Sequence, residues 1–196
     1  MKKTILGMIL AAAVLALPAA AEEWKLDPGH SKLKFAIDAK MISAEGIFRT
    51  FSIKDDINEQ ALEQSKFEMT VDVSSIDTNS TQRDTHLKSD AFFDVAKFPT
   101  AQIAVKSFRK VGEGSYEGDG EITLHGVTKS IKLPAKILLN EGGRLRFRGS
   151  VEINRMDFGV KFQSPMNHIE DIATVTYELN LQKPRSGAPP PARPNN

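Results

Sequence analysis

The chain has 196 residues, with 26 Lys and Arg against 25 Asp and Glu, and no Cys. This near-neutral balance offers no electrostatic footprint for nucleic acid, which needs a basic excess on one face. The absence of Cys excludes disulfides, thiol nucleophiles, thiolate metal sites and iron–sulfur clusters, so stability must come from an apolar core.

The chain opens as an export signal. "MKK" is a short basic start, "TILGMILAAAVLAL" is an uncharged apolar run, and Ala19-Ala20-Ala21 supplies an Ala-x-Ala cleavage site. The run is short for a spanning helix, which needs about 20 apolar residues. Cleavage is expected after Ala21, giving a secreted chain that starts at Glu22 and does not span the membrane. Removing Lys2 and Lys3 leaves 24 basic residues against 25 acidic ones. No Cys follows the apolar run, which excludes a thiol-linked lipid anchor.

From Glu22 onward the dominant period is two, the signature of strands with one wet and one dry face. "SKLKFAID" puts Leu33, Phe35 and Ile37 on one face and Lys32, Lys34 and Asp38 on the other. "IFRTFSI" is a weaker strand, and "NEQALEQ" (58–64) reads as a turn or two of helix. "KFEMTVDV" alternates Phe67, Met69, Val71 and Val73 with Glu68, Thr70 and Asp72. "STQRDTHLKSDAFFDVAKF" then breaks the pattern. Ser80 or Thr81 can cap a short helix, Asp84 favours its start through the helix dipole, and Pro99 stops the segment. It reads as a helix-and-loop crossover between strands. "AQIAVKSF", "GEITLH" and "KSIKLPAKILL" are further strands, followed by the strongly alternating "RLRFRGSVEIN" and "TVTYELNL".

Turn signals at Asp27-Pro28-Gly29, Asp55-Asp56, Gly112-Glu113-Gly114 and Asn140-Glu141-Gly142-Gly143 suit antiparallel hairpins. The expected fold is therefore all-β: an eight-stranded antiparallel barrel with a short helical crossover, which buries its dry face by closing on itself. The tail "KPRSGAPPPARPNN" (183–196) holds five of the ten prolines and is expected to be flexible and extended. One domain over residues 22–182 remains.

The motifs that mark common enzyme chemistries are missing from the sequence. No Gly-x-Ser-x-Gly elbow and no His-Glu-x-x-His zinc helix is present. "GEGSYEGDG" misses the dinucleotide fingerprint by one position and reads as a hairpin turn. His30, His86, His125 and His168 are far apart and lack helical or strand partners of metal-ligand spacing. In "RDTHLKSD", Arg83 and Lys88 are interleaved with Asp84, His86 and Asp90, which favours a salt-bridged polar face over a metal site. No catalytic residue, metal or cofactor is expected.

Five segments in order carry a family resemblance: "WKLDPGHSKLKF" (24–35), "GIFRTF" (46–51), "SIDTNSTQRDTHLKSDAFFDVAKFP" (75–99), "GEITLHGVTKSIKL" (120–133) and "RMDFGV" (155–160). Together they resemble the YceI-like family of bacterial periplasmic, lipocalin-like proteins. The resemblance implies an extended eight-stranded barrel with a helical segment at one end. It further implies a periplasmic protein holding a long apolar chain, a polyisoprenoid or isoprenoid quinone or in some members another lipid amide, as carrier, store or sequestering agent. It implies no catalytic residues, and a homodimer in some members.

On that basis the expected ligand-binding residues are Phe35, Phe51, Phe67, Met69, Val71, Ile103, Phe147 and Tyr177 as walls, with Phe92 and Phe93 covering one end. Arg83, His86 and His125 are the candidates for meeting a polar head group, and Arg83, Asp84 and His86 are expected to fix the crossover by hydrogen bonds. Alternation alone does not separate a lined cavity from a filled core. An enzyme acting on a lipid or small periplasmic substrate, and a solid-core protein-interaction module, are the alternatives.

Overall fold

The computed structural model describes residues 24–184. The expected signal peptide and all but the first two residues of the Pro-rich tail lie outside the described residues.

The elements in chain order are β1 (Lys25–Leu26), β2 (Lys32–Ala39), β3 (Ala44–Phe48), β4 (Phe51–Asp56), β5 (Lys66–Asp72), β6 (Ile76–Asp77), α1 (Thr81–Lys88), β7 (Thr100–Gly112), β8 (Ser115–Leu124), β9 (Val127–Glu141), β10 (Arg144–Asn154) and β11 (Ile169–Gln182). All strand pairs are antiparallel, in the order β4-β5-β7-β8-β9-β10-β11-β2-β3-β6, with β1 added beside β11. The sheet curls on itself. Its two end strands meet near Arg49 and Thr50, where Arg49 N donates to Ser75 O, Thr50 N donates to Ser75 Oγ, and Asp72 N donates to Thr50 O.

The antiparallel barrel-like class is as the alternation predicts, and the strand count is higher for two local reasons. "IFRTFSI" is two strands, because the chain turns at Arg49-Thr50 to pass from β3, paired with β2 and β6, to β4, paired with β5. β1 and β6 are two-residue pairings, too short to show a period. "NEQALEQ" forms a single 3-10 turn at Leu62–Gln64.

The dry faces meet inside the curl. Leu33, Phe67, Met69, Val71, Val105, Leu133, Tyr177 and Leu179 form the central core. Trp24, Leu145 and Leu181 form a second cluster, at the end of β11 far from Ala173. Ile122, Ile153 and Phe158 form a third, beside Ala173 at the other end. Each fully buried apolar side chain contributes about 1.5–3 kcal/mol, and in a chain without Cys this burial has no disulfide beside it.

One strand crossing shows how tight the centre is. Tyr177 lies directly opposite Gly149 on β10 and donates its hydroxyl hydrogen across it to Pro134 O on β9. A Cβ at Gly149 would lie 2.0 Å from that carbonyl oxygen and 2.3 Å from the tyrosine oxygen. Burial pushes the Tyr177 phenol well above its usual range, because a phenolate has no place in this apolar centre.

Candidate functional site

The site is built where α1 closes the end of the barrel. α1 is eight residues long and buries none of its own side chains. A helix of that length is marginal by itself, so its position depends on the bonds at its start. Ser80 Oγ caps it by accepting from Arg83 N at 3.4 Å. Asp84 Oδ1 accepts from both Thr78 N (2.9 Å) and Thr78 Oγ1 (2.6 Å). Arg83 donates from Nε to Thr78 Oγ1 (2.8 Å) and from Nη2 to Thr78 O (2.7 Å). Thr78 is buried and is the single anchor for both side chains. The expected fixing role of Arg83 and Asp84 is thus realised through hydrogen bonds to Thr78. The expected salt-bridged face is not formed by them: the ion pairs of this region are Arg49 with Asp77 and Lys97 with Asp94.

Behind α1 the chain makes two turns that press Phe92 inward. Phe92 is buried, Lys97 Nζ meets Asp94 Oδ2 at 2.7 Å, and Phe98 N closes on Asp94 O. His86 makes no side-chain hydrogen bond. Its ring stands edge-on to Phe92 (5.0 Å between centroids) and Phe162 (4.8 Å), and those two phenylalanines touch each other at 4.7 Å. Such aromatic edges contribute about 0.5–1.5 kcal/mol beyond the area they bury.

The opposite wall is held by Arg155, at the start of the 3-10 turn Arg155–Phe158. The pairing of β11 with β2 slips between Ile169 and Ala173, leaving a bulged stretch. Arg155 is only 6% exposed and donates to Val160 O, Phe162 O, Ile169 O and Glu170 O at 2.7–3.1 Å. One cation thereby satisfies carbonyls from the bulge and from the 159–168 loop together. Burial lowers the Arg155 pKa, against the pull of Asp171. Gln163 clamps the same bulge, donating to Ile169 O and accepting from Ile169 N.

Between these walls lies a cavity of about 390 Å³. That is within the range of about 300–1,000 Å³ typical of small-ligand sites. Phe35, Ile37, Ala44, Ile169 and Ala173 line it from the strands, Leu87, Phe92 and Phe93 from the crossover, and Val160 and Phe162 from the loop. Arg83, His86, Ser164 and Asn167 are among the few polar side chains on its surface. Among the described residues, the middle of the barrel holds two much smaller apolar voids, of about 40 Å³ under Leu62 and Ile137 and about 20 Å³ between Met69 and Tyr177, room for a few waters at most.

The sequence candidates therefore separate. Phe35, Phe92, Phe93, Arg83 and His86 come together on the large cavity. Phe67, Met69, Ile103, Phe147 and Tyr177 border only the small voids of the filled centre. Val71 is core, and Phe51 is packed against it. His125 lies outside the cavity lining, with Nδ1 on Phe158 O at 3.0 Å and its ring against Phe98 at 4.4 Å. Arg155, Phe162 and Asn167 were not among the candidates. "RMDFGV" contains the arginine, but no residue spacing says that its carbonyl partners follow 5–15 positions later. Among the described residues no three His, Cys, Asp or Glu side chains converge as a metal would require, and no helix is long and apolar enough to cross a membrane.

These features define a class: a curled antiparallel sheet with a filled middle and one apolar end-cavity closed by a short helix. Residues 24–181 match the YceI-like domain, and the chain belongs to that family. It is 33% identical over 171 residues to the UPF0312 protein of Shewanella denitrificans, covering 82% of this chain and 89% of that one. It is 34% identical over 169 residues to protein YceI of Salmonella newport, covering 82% and 88%. The fold is also that of BcnA from Burkholderia cenocepacia (TM-score 0.73, 22% identity, 79% of this chain and 98% of that one). A polyisoprenoid binding domain from Saccharophagus degradans, implicated in plant cell wall breakdown, shares it too (TM-score 0.66, 18% identity, 83% and 99%).

Proposed function

We propose that this chain is a periplasmic binding protein that takes an isoprenoid-type lipid, a polyisoprenoid or isoprenoid quinone, into the cavity under α1. It acts as carrier, store or sequestering agent and not by turnover. The observation that carries the reading is the cavity itself: about 390 Å³, enclosed by mostly apolar walls with a few polar groups among them. Such a wall binds by removing apolar area from water, about 25 cal/mol per Å² before the costs of association. An uncharged, methyl-branched chain is poorly soluble and gains most from that burial, while Arg83 and Asn167 supply donors for a polar end. The Saccharophagus relative, described as a polyisoprenoid binding domain, supports the same ligand class. Export by residues 1–21, a domain over 22–182 and a flexible tail complete the proposal.

The filled centre bears on chain length. The cavity accommodates the first units of a long isoprenoid, and the remainder must displace Met69, Phe147 and their neighbours or leave through the mouth. Native mass spectrometry of protein purified from its own cells, with solvent extraction of anything released, tests the reading. A stoichiometric isoprenoid or quinone mass is expected. A clean apo mass with no uptake of added long-chain quinone would overturn it and favour a solid-core interaction module.

A further inference from the structure

The polar side chains on the wall of the end-cavity are Arg83, His86, Arg155, Ser164 and Asn167, and no Asp or Glu is among its lining residues. What each can still offer a ligand follows from the bonds it already makes. Arg155 is committed, with its N–H groups on four backbone carbonyls and Asp171 Oδ1 at 3.5 Å. Asn167 Oδ1 already accepts from Met41 N and Ile42 N, and its amide has given one hydrogen to Ile42 O, which leaves one N–H. Ser164 Oγ accepts from Asn167 N at 3.2 Å and keeps its hydroxyl hydrogen.

Arg83 has the most to give. Of the five N–H groups of a guanidinium, it spends two on Thr78, and the others have no partner among the described residues. The side-chain acceptors on this wall are therefore nearly used up, while donors remain. Only His86 and Ser164 have an acceptor to spare.

Two carboxylates lie close to these arginines, and neither lines the cavity. Asp84 shares Thr78 Oγ1 with Arg83, and it borders a separate polar cleft with Ser74 and Lys88. Asp171, beside Arg155, has a half-exposed side chain. Each offsets part of a guanidinium charge, but a ligand in the cavity meets donors and not these carboxylate oxygens.

The end of the ligand must match that wall. A hydroxyl brings a donor of its own, for which few acceptors are left. A quinone carbonyl accepts but carries no charge. A carboxylate or phosphate accepts several N–H bonds at once, and such charge-assisted bonds are about twice as strong as neutral ones. Arg83 is only partly buried, so an anion bound to it keeps some of its water and escapes the full cost of burial.

We propose that the end-cavity selects an isoprenoid whose polar end is anionic, a carboxylate or a phosphate, and that Arg83 is the residue that makes the selection. This selection rests on the function proposed above and narrows it.

The test uses ligands that differ only at the end group. All-trans-retinol, a fluorescent isoprenoid alcohol, is titrated into the purified chain at neutral pH, and retinoic acid, with the same carbon skeleton, is read by displacing it. Geranylgeraniol and geranylgeranyl phosphate form a second pair. The proteins are the native chain, Arg83→Gln, Arg83→Lys, and Arg148→Gln, which removes an exposed cation from β10. Each anion is expected to bind the native chain at least about tenfold more tightly than its alcohol. That ratio should collapse in Arg83→Gln, persist in part in Arg83→Lys, which keeps the cation without the planar fork, and stay unchanged in Arg148→Gln. Circular dichroism checks the fold of each variant, and the native ratio stands without any of them.

An advantage of either anion over its alcohol, lost in Arg83→Gln, supports the selection, and the pair that shows it names the anion. Equal binding of anion and alcohol by the native chain overturns the selection and leaves the cargo reading standing. A fall of both ligands together in Arg83→Gln also overturns it, since Arg83 would then act only by holding α1. So does an anion preference that survives in Arg83→Gln. No binding of any of the four ligands removes the cargo reading and the selection with it.

Discussion

At the scale of single residues, the centre of the barrel depends on one tyrosine laid over one glycine. Gly149 leaves the space through which Tyr177 reaches Pro134 O, and a Cβ there would lie 2.0 Å from that oxygen. Gly149→Ala should therefore destabilise the fold by about 1–3 kcal/mol, the usual range for overpacking. The urea midpoint measures this. The phenol has a second consequence. Its folded pKa is raised by burial, so the folded state holds the proton more tightly than the unfolded chain, whose tyrosine titrates near about 10. The contribution is fully present below that pH and is lost as pH rises above it. Urea midpoints compared between neutral and strongly alkaline solution should fall more steeply for the native chain than for Tyr177→Phe. At neutral pH that variant should be less stable by about 1 kcal/mol, the value of one hydrogen bond. Parallel curves for the two proteins would show that Tyr177 titrates equally in both states.

At the scale of elements, the crossover is a lid held by its first turn. Thr78 receives both Arg83 and Asp84, and Phe92 carries the load on the inner side. The Phe92→Ala/Phe93→Ala variant should stay folded, because the three core clusters do not include Phe93 and meet Phe92 nowhere. Its affinity for retinol should drop at least about tenfold, as two aromatic walls are removed from the cavity. Fluorescence titration reads the affinity, and circular dichroism checks the fold. Unchanged affinity in a folded variant would show that the lid does not touch the ligand.

At the scale of the whole molecule, the alternation of Leu33, Phe35 and Ile37, and of Phe67, Met69 and Val71, carried the antiparallel class, since a period of two depends only on which residues face inward. The crossover was legible through its cap, its charges and Pro99. What the pattern did not contain is where inward side chains meet and where they stop short. Met69 and Phe35 look alike in sequence, yet one fills the centre and the other faces open space. The difference is set by strands far apart in the chain that pair around each position, with the β11–β2 register broken between Ile169 and Ala173 at the cavity end. Arg155 was invisible as a wall-builder for the same reason: its four partners are backbone carbonyls, which any sequence supplies.

The central claim is that the ligand sits in the end-cavity under α1 and not in the filled centre. Ala173 faces that cavity from β11, opposite Ile37, and its replacement by phenylalanine occupies the space without disturbing the middle of the barrel. Retinol titration of the native chain and of Ala173→Phe is the direct measurement. Saturable binding by the native chain, reduced at least about tenfold in a variant of unchanged stability, is the predicted result. Equal binding by both proteins, or none by the native chain, would contradict it.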